Sequence, residues 1–380
     1  MKNNKPNIRI PEGFDLHFNT LTGNWTLRPI KGFSEKYLTK NSFVPLKENT
    51  LFENKKTTEN FNGNSNLTKA KQEKNDEFYT RLEDITAELR HYKDYFKDKI
   101  IYCPCDKLFN VGQSNFGRYF LAQFHELGIK KLICTQWNPN GVGLVREYNS
   151  ITNGFKWEYN GEKEDGEPID ESDINTYLLE GDGSFDSDEC REIMKNCDIV
   201  ITNPPFSLFR QFIAQVIEYD KKFIIIGNEN AITYKEIFPL IKNNKIWLGY
   251  DKPKAYETTL TKIEDEKKQY EEGGVIYQKF GNHCWYTNIE HSKRKEKIFL
   301  SKKYNETDYP KYDNYDAIDV PKVKNIPKDY NGVIGVPISF LSKYCPTQFE
   351  IVKFRKGDDN KDLSINGKCP YFRILIKKLV

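Results

Sequence analysis

The stretch DIVITNPPFSLFRQFI, residues 198–213, decides the fold of this chain. It opens with a short β-branched run, which is typical of a buried strand. Two prolines follow, behind an asparagine and in front of an aromatic residue. The apolar residues after them recur with the period of a helix. The stretch therefore predicts a strand, a rigid loop and a helix whose apolar stripe packs on a sheet. That stripe consists of Leu208, Phe209, Phe212, Ile213, Val216 and Ile217.

The same alternation of apolar runs and amphipathic stretches extends along much of the chain. It indicates an α/β fold with a mostly parallel sheet, right-handed crossovers and helices on both faces. Ligands bind such sheets at the carboxyl ends of the strands, which is where Asn203 stands. The predicted strands span residues 99–104, 130–135, 198–203, 222–227 and 245–250, and the predicted helices span 114–128, 207–219 and 231–244.

Net charge and residue pattern together divide the chain into four parts. The net charge is +6 over residues 1–75, −11 over 76–290 and +8 over 291–380. Basic flanks suggest contact with a polyanion, although an ordinary lysine-rich surface gives the same sums. The four parts are an N-terminal extension of unknown role with short strands around a turn at 22–24 (1–52), a polar linker (53–75), an α/β catalytic domain with a charged insertion or hairpin at about 251–280 (76–290), and a basic, mixed C-terminal region (291–380).

The cysteines, the apolar runs and the N-terminal residues bear on whether the protein binds metal, enters a membrane or is secreted. Eight cysteines are scattered without a C-x-x-C pair, which predicts reduced thiols and no metal site. No apolar run approaches the roughly 18 residues of a membrane span. The N-terminus has no apolar stretch that could serve as a signal peptide. We therefore expect a cytoplasmic protein with no membrane partner.

The loop at Asn203 presents hydrogen-bond acceptors without competing donors. Pro204 and Pro205 each fix φ near about −65° and lack an N–H group. The acceptors are the side-chain carbonyl of Asn203 and the backbone carbonyl of Pro204. Two fixed acceptors suit a planar –NH₂ group, such as that of adenine, cytosine or a side-chain amide, and the ring of Phe206 offers a face for stacking. Asn-Pro and Pro-Pro are also ordinary turn signals, so the motif alone leaves a purely structural loop open.

Methyl transfer is the chemistry that fits such a loop. An aryl amine is a poor nucleophile because its lone pair is delocalised into the ring. Two acceptors on its hydrogens favour a pyramidal geometry, which returns the lone pair to nitrogen. No strong base is then required, and the loop contains no His, Cys or carboxylate. The methyl donor would be S-adenosylmethionine, whose sulfonium needs only in-line placement.

From about Lys74 to its C-terminus, the chain resembles the EcoRI-type adenine-specific DNA methyltransferases. The resemblance implies a Rossmann-like, S-adenosylmethionine-dependent domain with γ-type motif order, followed by a target-recognition region. The segments that carry it are KNDEFYT (74–80), YCPCD (102–106), SNFGRYF (114–120), GDGSF (181–185), DIVITNPPFSLFR (198–210), KIWLG (245–249), YPKYDNYDAI (309–318) and DLSINGKCPYFRILIK (362–377).

The resemblance also implies which residues form the site. The catalytic residues would be Asn203, Pro204, Pro205 and Phe206. The cofactor-binding residues would be Phe78, Tyr79, Thr80, Cys103, Asp106, Ser114, Asn115, Asp182 and Asn203. Asp182 would accept a hydrogen bond from the cofactor's adenine amine. No acidic residue ends the second strand, at Gln136, so the residue that holds the cofactor's ribose stays unassigned.

The expected substrate is adenine N6 in duplex DNA. Reaching it requires flipping the nucleotide out of the helix, at a cost of a few kcal/mol. The basic C-terminal region would supply compensating phosphate contacts. The candidates for these contacts are Arg294, Lys353, Arg355 and Lys356.

The resemblance implies a modification enzyme of a restriction–modification system, with a cognate endonuclease acting separately, or an orphan methylase. The sequence leaves open an RNA adenine or protein amide substrate, and a non-catalytic DNA-binding protein with a methyltransferase fold. His283 and His291 are interpreted as core or surface residues, and Trp285 as a packing residue.

Overall fold

The computed structural model describes most of the chain after residue 78 and a short hairpin before it. The hairpin pairs β1 (Phe14–Asn19) with β2 (Asn24–Pro29), as the turn signal at 22–24 predicts. The predicted linker 53–75 and Phe78 lie outside the described residues. Those described are 14–19, 24–29, 79–108, 114–137, 153–164, 166–167, 169, 171–258, 260 and 262–379.

The remaining elements are short helices and strands. The helices are α1 (Leu82–Leu89), α2 (Asn115–Ala122), α3 (Asp188–Asn196), α4 (Phe209–Glu218) and α5 (Phe238–Lys242). The strands are β3 (Tyr79–Thr80), β4 (Ile100–Pro104), β5 (Lys131–Gln136), β6 (Phe155–Tyr159), β7 (Asn175–Leu178), β8 (Ile199–Thr202), β9 (Lys222–Asn228), β10 (Trp247–Leu248), β11 (Tyr256–Glu257), β12 (Gln269–Glu272), β13 (Val275–Gln278), β14 (His283–Thr287), β15 (Ala317–Asp319), β16 (Val333–Pro337), β17 (Phe349–Phe354) and β18 (Arg373–Lys378). None of the helices described is long and apolar enough to cross a bilayer.

Eight strands form the central sheet, in the order β10-β14-β9-β8-β4-β5-β6-β7. The middle four, β9, β8, β4 and β5, run parallel. The outer pairings of β14 and β6 are antiparallel on both sides of each strand. The prediction of a mostly parallel sheet therefore holds only for the centre, because an apolar run does not reveal the direction in which its strand is entered. The carboxyl ends of the four parallel strands meet at one side, which we call the carboxyl edge.

Side chains of the central strands point alternately to two faces, and helices cover both. Tyr102 on β4 and Val200 on β8 pack with α3, α4 and α5. Ile101 and Ile201, one residue away on the same strands, pack with α1 and α2. Helices therefore lie on both faces of the central sheet.

The helix after the Asn203 loop is the one that the sequence predicts most closely. Leu208 departs from the predicted stripe: it is 39% exposed, because it ends a 3-10 turn that precedes α4. The predicted helices at 114–128 and 231–244 are shorter in the structure, since α2 ends at Ala122 and a second 3-10 turn precedes α5. The buried residues of the α4 stripe are Phe209, Phe212, Ile213 and Val216.

The C-terminal region forms a second, mixed sheet in the order β15-β16-β18-β17, which we call the C-terminal module. One hydrophobic core runs from this module into the face of the central sheet that α4 and α5 cover. At the junction, the ring centroids of Phe238 on α5 and Phe354 on β17 lie 5.1 Å apart. The two sheets therefore share a continuous interior.

The charged segment at 251–280 contains the predicted hairpin. Strands β12 and β13 pair antiparallel, and the two residues between them, Gly273 and Gly274, have φ values of 59° and 80°. A two-residue turn with positive φ at both positions requires glycine. Strand β13 pairs with β11 and β11 with β3, so the hairpin joins a four-stranded sheet that ends beside α2.

Candidate active site

Two loops leave the carboxyl edge side by side. Strand β4 ends at Pro104 and β8 ends at Thr202, and the two strands are parallel neighbours. The residues that follow them, Asp106 on one side and Asn203 on the other, therefore occupy adjacent positions at this edge. In the Asn203 loop, Pro204 is buried and the next proline is exposed. The Asn203 Oδ1 atom is shielded from solvent.

A buried carboxyl group connects these two loops. Asp106 is 6% exposed, and its Oδ1 accepts a hydrogen bond from the hydroxyl of Ser114. Its Oδ2 lies 2.8 Å from Oγ1 of Thr202, the residue immediately before Asn203. Burial raises the pKa of Asp106 to about 7, and the hydrogen bond from Ser114 opposes this shift. The cofactor-site candidates Asp106 and Ser114 are thus in direct contact with each other. Asp106 also contacts the strand that carries the Asn203 loop, which we call the amine loop.

The first turn of α2 holds β3 at the same edge. Ser114 caps the helix, accepting a hydrogen bond from the backbone N–H of Phe116. The side-chain amide of Asn115 donates to the backbone carbonyl of Thr80 over 2.8 Å and to Oε1 of Glu257 over 2.7 Å. The predicted cofactor residues Thr80 and Asn115 are therefore brought together although 35 residues separate them.

Aromatic rings surround Phe206 at the mouth of the loop. The ring centroid of Phe206 lies 4.5 Å from that of His283, the first residue of β14. His283 also stacks on Phe280 at 4.7 Å and meets the edge of Tyr256 at 5.1 Å. Burial lowers the pKa of His283 to about 4, so its imidazole is neutral at pH 7. These rings form an apolar wall beside the amine loop, and His283 belongs to the core as predicted.

Asp182 lies beside the end of β5, the strand next to β4. Its Oδ2 accepts a hydrogen bond of 3.0 Å from the indole N–H of Trp137, which is 50% exposed. A Cβ on the neighbouring Gly183 would lie 2.2 Å from the carbonyl oxygen of Gln136, so only glycine permits this close approach. The GDG turn therefore brings a carboxylate and an exposed indole to the carboxyl edge.

Two carboxyl groups of α1 bind the loop that follows β10. The oxygens of Glu88 accept from the Tyr92 hydroxyl at 2.6 Å and from the backbone N–H groups of Tyr250 and Asp251 at 2.8 and 2.6 Å. Asp84, one turn earlier, accepts from two backbone N–H groups of the same loop. Burial raises the pKa of Glu88 to about 7. This clamp ties the start of the domain to the loop that follows β10.

Comparison with known proteins identifies the family of this chain. The family model described as adenine-specific methyltransferase EcoRI matches residues 66–379. The chain belongs to this family. Type II methyltransferase M.EcoRI of Escherichia coli is 50% identical over 326 residues, which cover 83% of this chain and 96% of that protein. Type II methyltransferase M.MpnI of Mycoplasma pneumoniae is 34% identical over 338 residues, with coverages of 82% and 98%. No solved structure matches.

The protein is thus an adenine-specific methyltransferase, and two of the residues predicted for its site pack against core side chains. Cys103 is completely buried beside Cys134 in the core of the sheet, one residue before the end of β4. Arg294 is 6% exposed: its guanidinium lies 3.8 Å from the ring centroid of Trp247 and pairs with Glu290 at 3.4 Å. We therefore leave Cys103 out of the proposed cofactor site and Arg294 out of the proposed DNA surface.

The other basic candidates of this methyltransferase lie on the C-terminal module, where acidic side chains hold them. Arg355 binds Asp362 through two hydrogen bonds of 2.9 and 2.7 Å. Lys356 pairs with the same carboxylate at 2.8 Å. The ammonium of Lys353 lies 4.7 Å from the ring centroid of Tyr315 and 4.0 Å from Asp358.

Three residues at the carboxyl edge were not among the predicted site residues: Thr202, Trp137 and Glu257. Thr202 stands directly before the amine loop, so its position in the motif could have marked it. Trp137 follows shortly after the strand predicted at 130–135, and ligands bind at the carboxyl ends of such strands. Glu257 had no signal in the sequence, because its contact with the first turn of α2 spans 142 residues.

Proposed function

We propose that this enzyme transfers a methyl group from S-adenosylmethionine to N6 of adenine in duplex DNA, as the modification enzyme of a restriction–modification system. The curated relatives are named Type II methyltransferases. The observation that carries the proposal is the adjacency of the Asn203 loop and the Asp106 carboxyl at the carboxyl edge, in a chain of this family. A cognate endonuclease would act as a separate protein on the same sites.

The Asn203 loop would position the amine. Its rigid prolines hold the Asn203 side-chain carbonyl and the Pro204 carbonyl as two acceptors for the two hydrogens of the –NH₂ group. Phe206 would stack on the flipped base, with the ring of His283 behind it at 4.5 Å. Because His283 is neutral at pH 7, this wall holds the base without adding charge.

The donor set at the edge fits S-adenosylmethionine, in the Rossmann-like manner that the family implies. Asp106 offers a carboxyl at the end of β4 for the cationic methionine end of the cofactor. Asp182 and Trp137 offer an acceptor and a ring at the end of β5 for the adenosine end. When bound, the cofactor supplies an electrophilic methyl group on its sulfonium. The residues of this chain orient the amine toward it and shield it from water.

Duplex DNA would lie across the C-terminal module, which serves as the target-recognition region. Lys353, Arg355 and Lys356 are the proposed phosphate contacts on it. Arg355 and Lys356 are already oriented by Asp362, which fixes their geometry but also reduces their net charge. Specific binding would then rest on a few well-positioned cations together with polar contacts to base edges.

The reaction is tested by incubating the enzyme with unmethylated duplex DNA and isotope-labelled S-adenosylmethionine, digesting the DNA and identifying labelled nucleosides by mass spectrometry. We expect labelled N6-methyladenine, at a short recurring sequence. A matched incubation with RNA of the same sequence tests the alternative substrate. Label in RNA and none in DNA would overturn the choice of DNA.

A further inference from the structure

Thr202 carries a hydroxyl group that the proposed reaction does not use. It ends β8, it is completely buried, and it stands directly before Asn203. Its Oγ1 contacts two oxygen atoms. One is the backbone carbonyl oxygen of Pro104, which is the closer of the two, and the other is Oδ2 of Asp106 at 2.8 Å.

A count of protons determines the state of Asp106. A threonine hydroxyl has one proton to donate, and a backbone carbonyl can only accept. The contact with Pro104 therefore uses the Thr202 proton. The contact between Thr202 and Oδ2 of Asp106 then needs a proton from the carboxyl group itself. Ser114 already donates to the other oxygen, Oδ1. All three contacts are hydrogen bonds only when Asp106 is protonated.

An ionised Asp106 would leave this chain of oxygens one proton short. Oδ2 and the Pro104 carbonyl would compete for the single Thr202 proton, and one buried oxygen pair would face each other without a hydrogen. An unsatisfied buried polar group is costly, so the geometry favours the neutral carboxyl. Burial acts in the same direction and raises the pKa of Asp106 to about 7.

Other described groups around Asp106 also affect its protonation state. On β4 and just after it, burial raises the pKa values of the Cys103 and Cys105 thiols, which are therefore neutral at pH 7. Lys107 is the next residue, and α2 begins at Asn115 with its positive dipole end toward this region. The hydrogen bond from Ser114 favours the carboxylate, and burial still leaves the pKa raised. A further positive charge bound at the edge would shift the balance to the ion.

We propose that Asp106 holds a proton in the free enzyme, with Thr202 as its acceptor, and releases this proton to solvent when the cationic methionine end of S-adenosylmethionine binds. The inference rests on the proposed function, because the cofactor supplies the positive charge. One proton leaves the Asp106 carboxyl as one carboxylate forms, and the cofactor keeps its own protons. Thr202 is thereby a positioning residue that links cofactor binding to the start of the amine loop.

The test is calorimetric titration of the full chain with S-adenosylmethionine in two buffers of different ionisation enthalpy. At pH 7 we expect about half a proton to be released per cofactor bound, approaching one proton at pH 6 and none at pH 9. The dissociation constant should correspondingly fall by about tenfold between pH 6 and pH 8. At pH 6 the cofactor's own amine is protonated both free and bound, so the release measured there comes from the enzyme. Equal heats in both buffers at pH 6 and pH 7 would overturn the proposal.

Thr202→Val gives a result whose sign decides the direction of the hydrogen bond. If Thr202 accepts the Asp106 proton, the variant lowers the pKa of Asp106 and releases fewer protons at pH 7 than the wild type. If Thr202 only donates to an ionised Asp106, removing the donor raises that pKa and increases the release. Thr202→Ser keeps the hydroxyl and should match the wild type. An increase in Thr202→Val would therefore contradict the proposal.

An infrared difference spectrum gives a readout independent of heat. The free enzyme at pH 6 should show the carbonyl band of a protonated carboxylic acid, and the band should vanish when the cofactor binds and be missing in Asp106→Asn. Should Thr202→Val fail to fold, the wild-type titration still decides. Binding without proton release would overturn this inference alone, whereas no cofactor binding by the wild type would overturn both it and the proposed function.

Discussion

The carboxyl edge and the C-terminal module differ in the partners that surround their carboxyl groups. At the edge, Asp106 lies buried among neutral hydroxyl groups, and burial raises its pKa to about 7. In the module, Arg373 meets Asp319 at 2.8 Å in the interior, and Asp362 receives both Arg355 and Lys356. These partners lower the pKa of Asp362.

This difference separates a region whose carboxyl group can change its protonation state from a region whose charged pairs maintain the structure. A buried ionisable group that contacts neutral hydroxyls changes its protonation state readily, which would suit the proposed cofactor site. A paired group stays charged and fixes the position of its neighbours. Substitutions at the edge should therefore change chemistry and pH dependence, and substitutions in the module should change folding and DNA contacts.

The largest effect is expected at the amine loop. Asn203→Ala removes one of the two acceptors that position the amine, so the methylation rate should fall by about three orders of magnitude or more. DNA binding should stay within a few-fold of wild type, measured by fluorescence anisotropy beside single-turnover methylation. A turnover close to that of the wild type would show that this loop is structural.

In the module, Arg373→Met should cost stability. The substitution leaves the buried Asp319 without its guanidinium partner, which typically lowers the free energy of unfolding by about 3–5 kcal/mol. Urea unfolding measures the change, and the double substitution Asp319→Asn with Arg373→Met should recover most of it. Lys93→Met, which breaks the exposed pair with Glu126, is the control and should cost less than about 1 kcal/mol. Equal losses in the two single variants would remove the contrast.

The aromatic wall around His283 should make the stability of the protein depend on pH. His283 has a pKa of about 4 in the folded state, below that of an unfolded histidine, so the unfolded chain binds a proton first as the pH falls. Stability is therefore fully present above about pH 6.5 and is lost as the pH falls toward 4. Relative to His283→Phe, the wild type should lose about 2 kcal/mol between pH 7.5 and pH 5. Parallel unfolding curves across this range would argue that the ring is solvated.

The smallest effect concerns the basic surface of the module. Lys356 is paired with Asp362, whereas Lys368 is exposed. If both face the duplex, Lys368→Ala should reduce the slope of log affinity against log salt by about 0.9, and Lys356→Ala by less, because its charge is already partly compensated. Filter binding at several salt concentrations measures both slopes. Identical reductions would mean that the pairing with Asp362 opens on DNA.

The sequence predicted the parts of this molecule that depend on local order. The strand, loop and helix around Asn203 follow from short-range patterns, and the structure has them within a residue or two. Helix α3 was missed because its sequence, DECREIMKN, buries only Cys190 and Met194. Strand β6 was also missed, although the alternation of Phe155, Trp157 and Tyr159 carried the signal.

The site was predictable only in part, for a different reason. Residues next to the motif could be named, but contacts such as that between Asn115 and Glu257 join segments far apart in the chain. Charge sums were less informative still. The net charge of +8 in the last 90 residues counted Arg294 as a surface cation, whereas the fold buries it against Trp247.

The core shared by the two sheets has a mechanical consequence. Phe238 and Phe354 meet at a junction where the apolar side chains of both sheets form one close-packed body. A body of this kind resists opening and closing around its substrate. In the proposed reaction, most of the movement that brings a base to Asn203 would then be made by the nucleic acid, which bends and unstacks against the two joined sheets.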